Sequence, residues 1–147
     1  MQQLTEAYVF RLARALLFLG ALSLAAGACG GSSDLAGTSW QLTGFVTSGP
    51  PANASVVPDP QNYTLAFTTD GNVNVKADCN SASGTYTVNG SNLTIKIGPT
   101  TLVACPAGSL SDQYIAALGS VSTYKIENSQ LTLSLASNAG SMEFKKG

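Results

Sequence analysis

Residues 63–97 read YTLAFTTDGNVNVKADCNSASGTYTVNGSNLTIKI, and this stretch decides the fold. Tyr63, Leu65 and Phe67 alternate with Thr64, Ala66 and Thr68. Strict alternation over this length marks a strand with one buried face. Asp70-Gly71 follows as a tight-turn signal, and Val73, Val75 and Ala77 then alternate with Asn74 and Lys76. Together they predict a hairpin whose register the turn sets. Tyr86 and Val88 lead into Asn89-Gly90, the strongest short hairpin signal in a sequence, and Leu93, Ile95 and Ile97 take up the alternation again until Gly98-Pro99 ends it.

The same rhythm extends outward. Trp40, Leu42 and Gly44 form a first strand, and residues 48–60, rich in Pro, Gly, Ser and Asn, read as a loop. One segment has a different period. Leu110, Tyr114, Ile115, Leu118 and Val121 recur at helical intervals, which predicts a helix over about 110–119. Ser109 with Asp112 reads as its capping box and Gly119 as its end. Strand character returns at Tyr124 and Ile126, at Leu131, Leu133 and Leu135, and at Met142 and Phe144, with turns at Asn128-Ser129 and Asn138-Ala139-Gly140. Strands joined by tight turns must be antiparallel. The expected fold is therefore α+β: a small antiparallel, curled or barrel-like sheet of about seven or eight strands with one short helix.

The N-terminal segment follows another logic. Arg11 and Arg14 precede an uncharged apolar run from Ala15 to Ala28, which ends in Ala26-Gly27-Ala28 before Cys29. The run is shorter than the ~20 apolar residues a membrane-spanning helix needs and fits the core of an export signal. A basic start, a short apolar core, small residues and then cysteine is the layout of a bacterial lipoprotein signal. Ala26 departs from that pattern, which usually has Leu there, and a plain secretory signal ending near a cysteine is the alternative. Residues 1–28 are thus expected to be a leader, Cys29 the lipidated residue, 29–34 a flexible Gly/Ser tether, and 35–147 the folded domain. The expected location is the cell envelope, outside the cytoplasm, with the chain held to the membrane by its lipid.

After cleavage the chain carries five Lys against seven Asp and Glu, a net charge of about −2 with both signs scattered. No basic stripe is present, which speaks against a nucleic-acid partner. Cys79 and Cys105 remain as an even pair in an exported chain, and a disulfide is favoured over a metal site. Asp78 beside them adds one carboxylate, short of four good ligands, so no metal and no cofactor is expected.

Several separated segments resemble one family. Leu35-Ala36-Gly37-Thr38-Ser39-Trp40 is similar to the opening L-x-G-T-x-W strand of the META domain, the HslJ-like family of small bacterial envelope proteins. Cys79-Asn80 with Gly84 and Tyr86 resembles its central signature, and Thr101 to Ala104-Cys105 its T-x-x-A-C segment. Asp112 to Leu118 is similar to its short helix, and Tyr124, Ile126 and Leu131-Thr132-Leu133 to its closing strands. Asp78 stands where the family usually has Gly, which touches the local turn and not the fold. The resemblance implies a small barrel-like α+β domain in envelope-associated or secreted proteins, with no defined catalytic activity. Some members carry paired cysteines, and some are linked to heat shock, drug resistance, motility or virulence.

The residues agree that catalysis is not expected. The chain has no histidine, which removes the commonest general base and the usual nucleophile pairs. No Ser-x-x-Lys occurs, and the lysines fall on outward strand positions. Trp40 and the tyrosines Tyr63, Tyr86, Tyr114 and Tyr124 are expected in the core, with hydroxyls satisfied, before they are expected in a ligand pocket. The segment Cys79 to Gly84 is the candidate for recognition. Asn80 has an ordinary role, bonding turn backbone. The sharper expectation is an interaction surface made of Asn80, Ser81, Ser83 and Thr101. The expected function is that of a non-enzymatic lipid-anchored envelope protein acting by protein–protein contact or in envelope stress tolerance, its partner an unidentified envelope protein. The alternative is a small-ligand-binding or enzyme-inhibitor module, signalled by a dry cavity lined by Trp40, Phe67 or Leu118.

Overall fold

The computed structural model describes residues 34–48, 51 and 53–147. The expected leader, Cys29 and all of the tether but Asp34 lie outside the described residues. Nine strands follow in chain order: β1 (Thr38–Thr47), β2 (Asn53–Val56), β3 (Tyr63–Phe67), β4 (Asn72–Ala77), β5 (Asn80–Asn89), β6 (Asn92–Thr100), β7 (Val121–Glu127), β8 (Gln130–Leu135) and β9 (Gly140–Lys146). A helix, α1 (Ser111–Leu118), lies between β6 and β7. Every pairing is antiparallel, and β1 closes the sheet on β9 from Trp40↔Lys146 to Thr47↔Gly140. The result is an eight-stranded closed antiparallel barrel with β2 as an extra strand. The weak seam is β6–β7, where Asn92↔Thr123 is the one ladder pair and the Tyr124 N–H donates to the Ser91 carbonyl at 3.0 Å.

Local chemistry explains the hairpins. Gly71 connects β3 to β4 at φ +85°, and Gly90 opens the two-residue β5–β6 turn at φ +60°. Asn128 and Ser129 both have positive φ between Glu127 and Gln130, the pattern a twisted two-residue hairpin demands. Asp78 sits at φ +58°, where an Asp is tolerated better than most side chains.

Three expectations need correction. The loop over 48–60 contains β2, whose register Gly44↔Val56 to Thr47↔Asn53 rests on backbone pairing alone. All four of its side chains are exposed, so no alternation betrays it. Leu110, not Ser109, is the N-cap of α1, and no side chain caps it. Ser109 Oγ instead accepts the Ser111 N–H at 3.3 Å. Val121 begins β7 and does not continue the helical period; Gly119 ends the helix as expected, in a right-handed conformation.

The inward side chains fill the barrel. Trp40, Phe67, Phe144, Leu42, Leu65 and Leu133 are among those essentially inaccessible to water. Burying each such side chain contributes roughly 1.5–3 kcal/mol. The helix turns Ser111, Tyr114 and Leu118 into this core. Tyr114 meets Tyr63 edge-on, with ring centroids 5.9 Å apart, and tilts against Phe144. No helix among the described residues is long and apolar enough to cross a membrane.

Candidate functional site

The residues singled out in the sequence gather around the start of β5. Cys79 and Cys105 form a disulfide, with Cα atoms 5.5 Å apart. Cys79 is exposed and Cys105 half-buried. The bond consumes the two thiols a metal site would have needed, and among the described residues no three His, Cys, Asp or Glu side chains come together.

Asn80, the next residue, is only 5% exposed. Its Oδ1 accepts the Val103 N–H at 2.8 Å and the Thr101 hydroxyl at 3.0 Å. Its Nδ2 donates to the Val103 carbonyl at 3.0 Å and to Ser111 Oγ at 3.1 Å, with Cys105 Sγ 3.3 Å away. Thr101 is tied in turn to the β5 backbone: its N–H donates to the Ser81 carbonyl and its Oγ1 accepts the Ser81 N–H, both at 2.9 Å. Asn80 is therefore an internal clamp. Its amide has no group left to offer a partner, which takes it off the expected interaction surface and gives it the ordinary backbone-bonding role. Ser81, Ser83 and Thr101 do stand exposed, on the outer wall of the barrel.

What the clamp presents was not visible in the motif. Leu102 is 91% exposed and Val103 58%, although both are fastened on either side by Thr101 and Cys105. A signal exists in hindsight: no charged residue occurs between Lys96 and Asp112. Val56 is the other large exposed hydrophobic residue among the described residues. All three lie at one end of the barrel. β3 runs from Tyr63, opposite Ala77, to Phe67, opposite Val73. The chain enters beside Phe67, where the Gly37 N–H donates to the Phe67 carbonyl at 2.9 Å. Asp78, with Cys79 and the clamped loop behind it, lies beside Asn62 at the other end, roughly 13 Å away along β3. β2 pairs with the part of β1 that runs on past its partnership with β3, so Val56 shares that far end.

The remaining candidates are placed plainly. All five lysines are exposed. Lys125 pairs with Glu127 at 2.9 Å on the surface, where such a bridge contributes little. Asp70 is held by the Thr68 hydroxyl, and its other oxygen accepts from Asn72 at 2.8 Å. These bonds, the one from Thr68 foremost, hold its carboxyl below the usual range. Trp40 Nε1 donates to Thr38 Oγ1 at 2.7 Å, Tyr63 OH accepts the Leu110 N–H at 3.0 Å, and Tyr86 OH donates to the Thr68 carbonyl at 2.9 Å. Tyr114 departs from the expected satisfied hydroxyls: its OH is buried without a partner among the described residues, and burial pushes its ionisation far up.

Surface depressions surround the loop. One, of about 180 Å³, lies between Val103 and Asp112, and another, of about 200 Å³, between Pro58–Asn62 and Pro106–Leu110. Two larger ones cross the outer face of β4, β5 and β6. Trp40, Phe67 and Leu118 are packed in the core and line none of these four.

Among curated proteins none matches the chain. Two solved structures share its fold. An NMR structure of a protein from Burkholderia xenovorans is 24% identical, with a TM-score of 0.62, over 77% of this chain and 83% of that one. A crystal structure of a DUF4847 family protein from Bacteroides vulgatus is 16% identical, with a TM-score of 0.57, over 76% of this chain and 94% of that one. The META domain model matches residues 33–146, nearly the whole of the folded part. With its order of motifs, its clamped Cys-Asn turn and its closed barrel, this chain belongs to the META domain family.

Proposed function

We propose that this META-domain protein is a non-enzymatic, lipid-anchored protein of the cell envelope that works by docking a protein partner, in the service of envelope stress tolerance. The observation that supports this reading is the clamped loop. Exposed apolar side chains on a flexible loop lose conformational entropy when they bind, whereas Leu102 and Val103 are held in place beforehand by a disulfide and by the Asn80 side chain. Contiguous exposed apolar residues mark interaction sites. Leu102 and Val103 lie at the end of the barrel opposite the start of β1.

The small-ligand alternative needs a dry interior cavity lined by Trp40, Phe67 or Leu118. Trp40, Phe67 and Leu118 are instead each 1% exposed or less and packed together with the rest of the core. That leaves the protein-docking reading as the better supported one.

The test has two arms. Intact mass of the membrane-extracted protein, before and after reduction, is expected to show loss of residues 1–28, acylation at Cys29 and a gain of two hydrogens when the reductant cleaves the Cys79–Cys105 bond. A photo-crosslinking side chain placed at Leu102 in cells is expected to trap one defined envelope protein, while the same group at outward Thr94 traps none. A Leu102→Asp variant is then expected to lose envelope stress tolerance while remaining folded. Recovery of the unprocessed, unacylated chain would sink the anchoring half. Indistinguishable crosslinking at Leu102 and Thr94 would sink the docking half.

A further inference from the structure

The outer face of β4, β5 and β6 carries a trough that the docking loop does not use. Alternation turns Asn72 and Asn74 of β4, Ser83 and Thr85 of β5, and Lys96 and Gly98 of β6 outward. The β5–β6 ladder is regular at Gly84↔Ile97 and resumes at Ala82↔Thr100. Between those pairs two residues, Gly98 and Pro99, stand opposite Ser83 alone. This bulge makes the trough. A Cβ added at Gly84 would lie 2.2 Å from the Lys96 carbonyl oxygen, so the two backbones approach as only glycine permits. Gly98 and Ser83 then put almost no side chain on the floor, while Asn74, Lys96 and Pro99 rise at its sides. Two adjoining depressions result, of about 670 and 410 Å³, sharing Asn74, Ser83 and Pro99. Each lies within the size range of small-molecule sites.

The geometry points to this trough as a binding site for a short neutral oligosaccharide. The walls carry amides and hydroxyls, groups that both donate and accept, as vicinal sugar hydroxyls require. Charge is sparse. Lys96 is the one cation on the lining, too little for a nucleotide or a polyphosphate. The one carboxylate, Asp70, has an oxygen bonded to Thr68 and the other to Asn72. The lining is slightly more apolar than polar, and the exposed ring of Pro99 suits the C–H face of a pyranose. The trough is open and has no aromatic platform among its lining residues, so it would hold a sugar chain weakly, as a contact made along a longer polymer. One end of the trough, at Ser81 and Thr101, adjoins the docking loop, but the assignment does not rest on that loop.

The test is an NMR titration of the full-length chain in mild detergent with two probes, tetra-N-acetylchitotetraose and maltotetraose, which separate a β-linked amino-sugar chain from an α-glucan. At least one is expected to give saturable amide shifts centred on Asn74, Ser83–Thr85 and Lys96–Thr100. Asn74→Ala, which leaves the core untouched, is expected to weaken binding about fivefold, the worth of a lost hydrogen bond or two. Ser83→Phe, an outward substitution that fills the floor, is expected to abolish it in a protein whose other amide positions are unchanged. Thr87→Ala, beyond the trough on the same strand, is expected to bind as the parent does. No saturable shift with either sugar up to about 10 mM, shifts centred elsewhere, or binding indifferent to Ser83→Phe would each overturn the assignment. So would saturation by a Gly-Ser peptide where both sugars fail.

Discussion

The side chain of Asn80 pairs with both backbone groups of Val103, accepting its N–H at 2.8 Å and donating to its carbonyl at 3.0 Å. An amide side chain is a peptide group without the chain, so this contact is a one-residue strand pairing supplied by β5 to a segment that cannot join the sheet. It explains why Asn and not another residue follows Cys79. Asp lacks the donor, Ser lacks the reach and the second group, and Gln would place its amide one carbon too far out.

Asn80→Ala is expected to be among the most costly polar substitutions in the chain. It strips partners from the Val103 N–H and carbonyl and removes the acceptor and donor that satisfy Thr101 and buried Ser111. Leaving buried polar groups unpaired costs about 1–3 kcal/mol. Denaturant unfolding is expected to show a loss towards the upper end of that range, with Asn80→Asp losing less than Asn80→Ala. A variant as stable as the parent would show that the clamp is idle.

Removing the disulfide acts on the same loop by another route. The bond joins residues 26 apart, for which the chain-entropy relation gives about 3.5 kcal/mol. The Cys79→Ser, Cys105→Ser double variant is expected to lose somewhat less, because residual structure in the unfolded chain lowers the entropy it gains when the bond is gone. Combined with Asn80→Ala the loss is expected to exceed the sum of the parts, since each fastener limits what the loop gains when the other is released. Additive losses within about 0.5 kcal/mol would show that the two fasteners act on separate equilibria.

Tyr114 is a core residue with a flaw. Its ring packs against Tyr63 and Phe144, yet its hydroxyl is buried with no partner among the described residues. Tyr114→Phe keeps the ring and deletes the unsatisfied group, and is expected to raise stability by about 1 kcal/mol. For a domain of this size that is a rise in Tm of roughly 4 °C, read by thermal unfolding. A lower Tm would mean that the hydroxyl is satisfied by a buried water.

How far the sequence discloses this molecule depends on what each residue does. Tyr63-Leu65-Phe67 and Leu93-Ile95 bury one face, so their alternation shows the strand and its register directly. Asn128-Ser129 shows its turn because positive φ selects for such residues. β2 was illegible because Asn53–Val56 buries nothing and is held by main-chain pairing, which any sequence can supply. The helix lies where its period places it, but the cap differs by one residue: Leu110 occupies the N-cap without a side-chain bond, and the strongest local signal, Ser109, stands one residue before it. In the candidate site the disulfide and the importance of Asn80 could be read from their types. The direction in which Asn80 points could not, because it follows from where residues 101–111 return in space. The trough was equally hidden: it arises from a mismatch of two residues against one between β5 and β6, and a count of that kind exists only once the strands are paired.

Asp70 sets the expected acid sensitivity of the β3–β4 turn. The Thr68 hydroxyl, and after it Asn72, bonds the charged carboxylate and holds its ionisation below the ordinary 3.8. A group whose folded value is depressed adds stability that is fully present above its unfolded value and is lost as the pH falls through the folded one. The contribution is therefore complete above about pH 4 and disappears below it. Asp70→Asn keeps an acceptor for Thr68 but carries no proton to gain, so its unfolding midpoint is expected to fall less steeply than the parent's between about pH 4 and pH 2. Thr68→Val, which removes the leading bond, is expected to flatten the same part of the profile. Parallel profiles for all three proteins would place the acid sensitivity in other carboxylates and reduce the Thr68–Asp70 contact to a turn geometry without an electrostatic consequence.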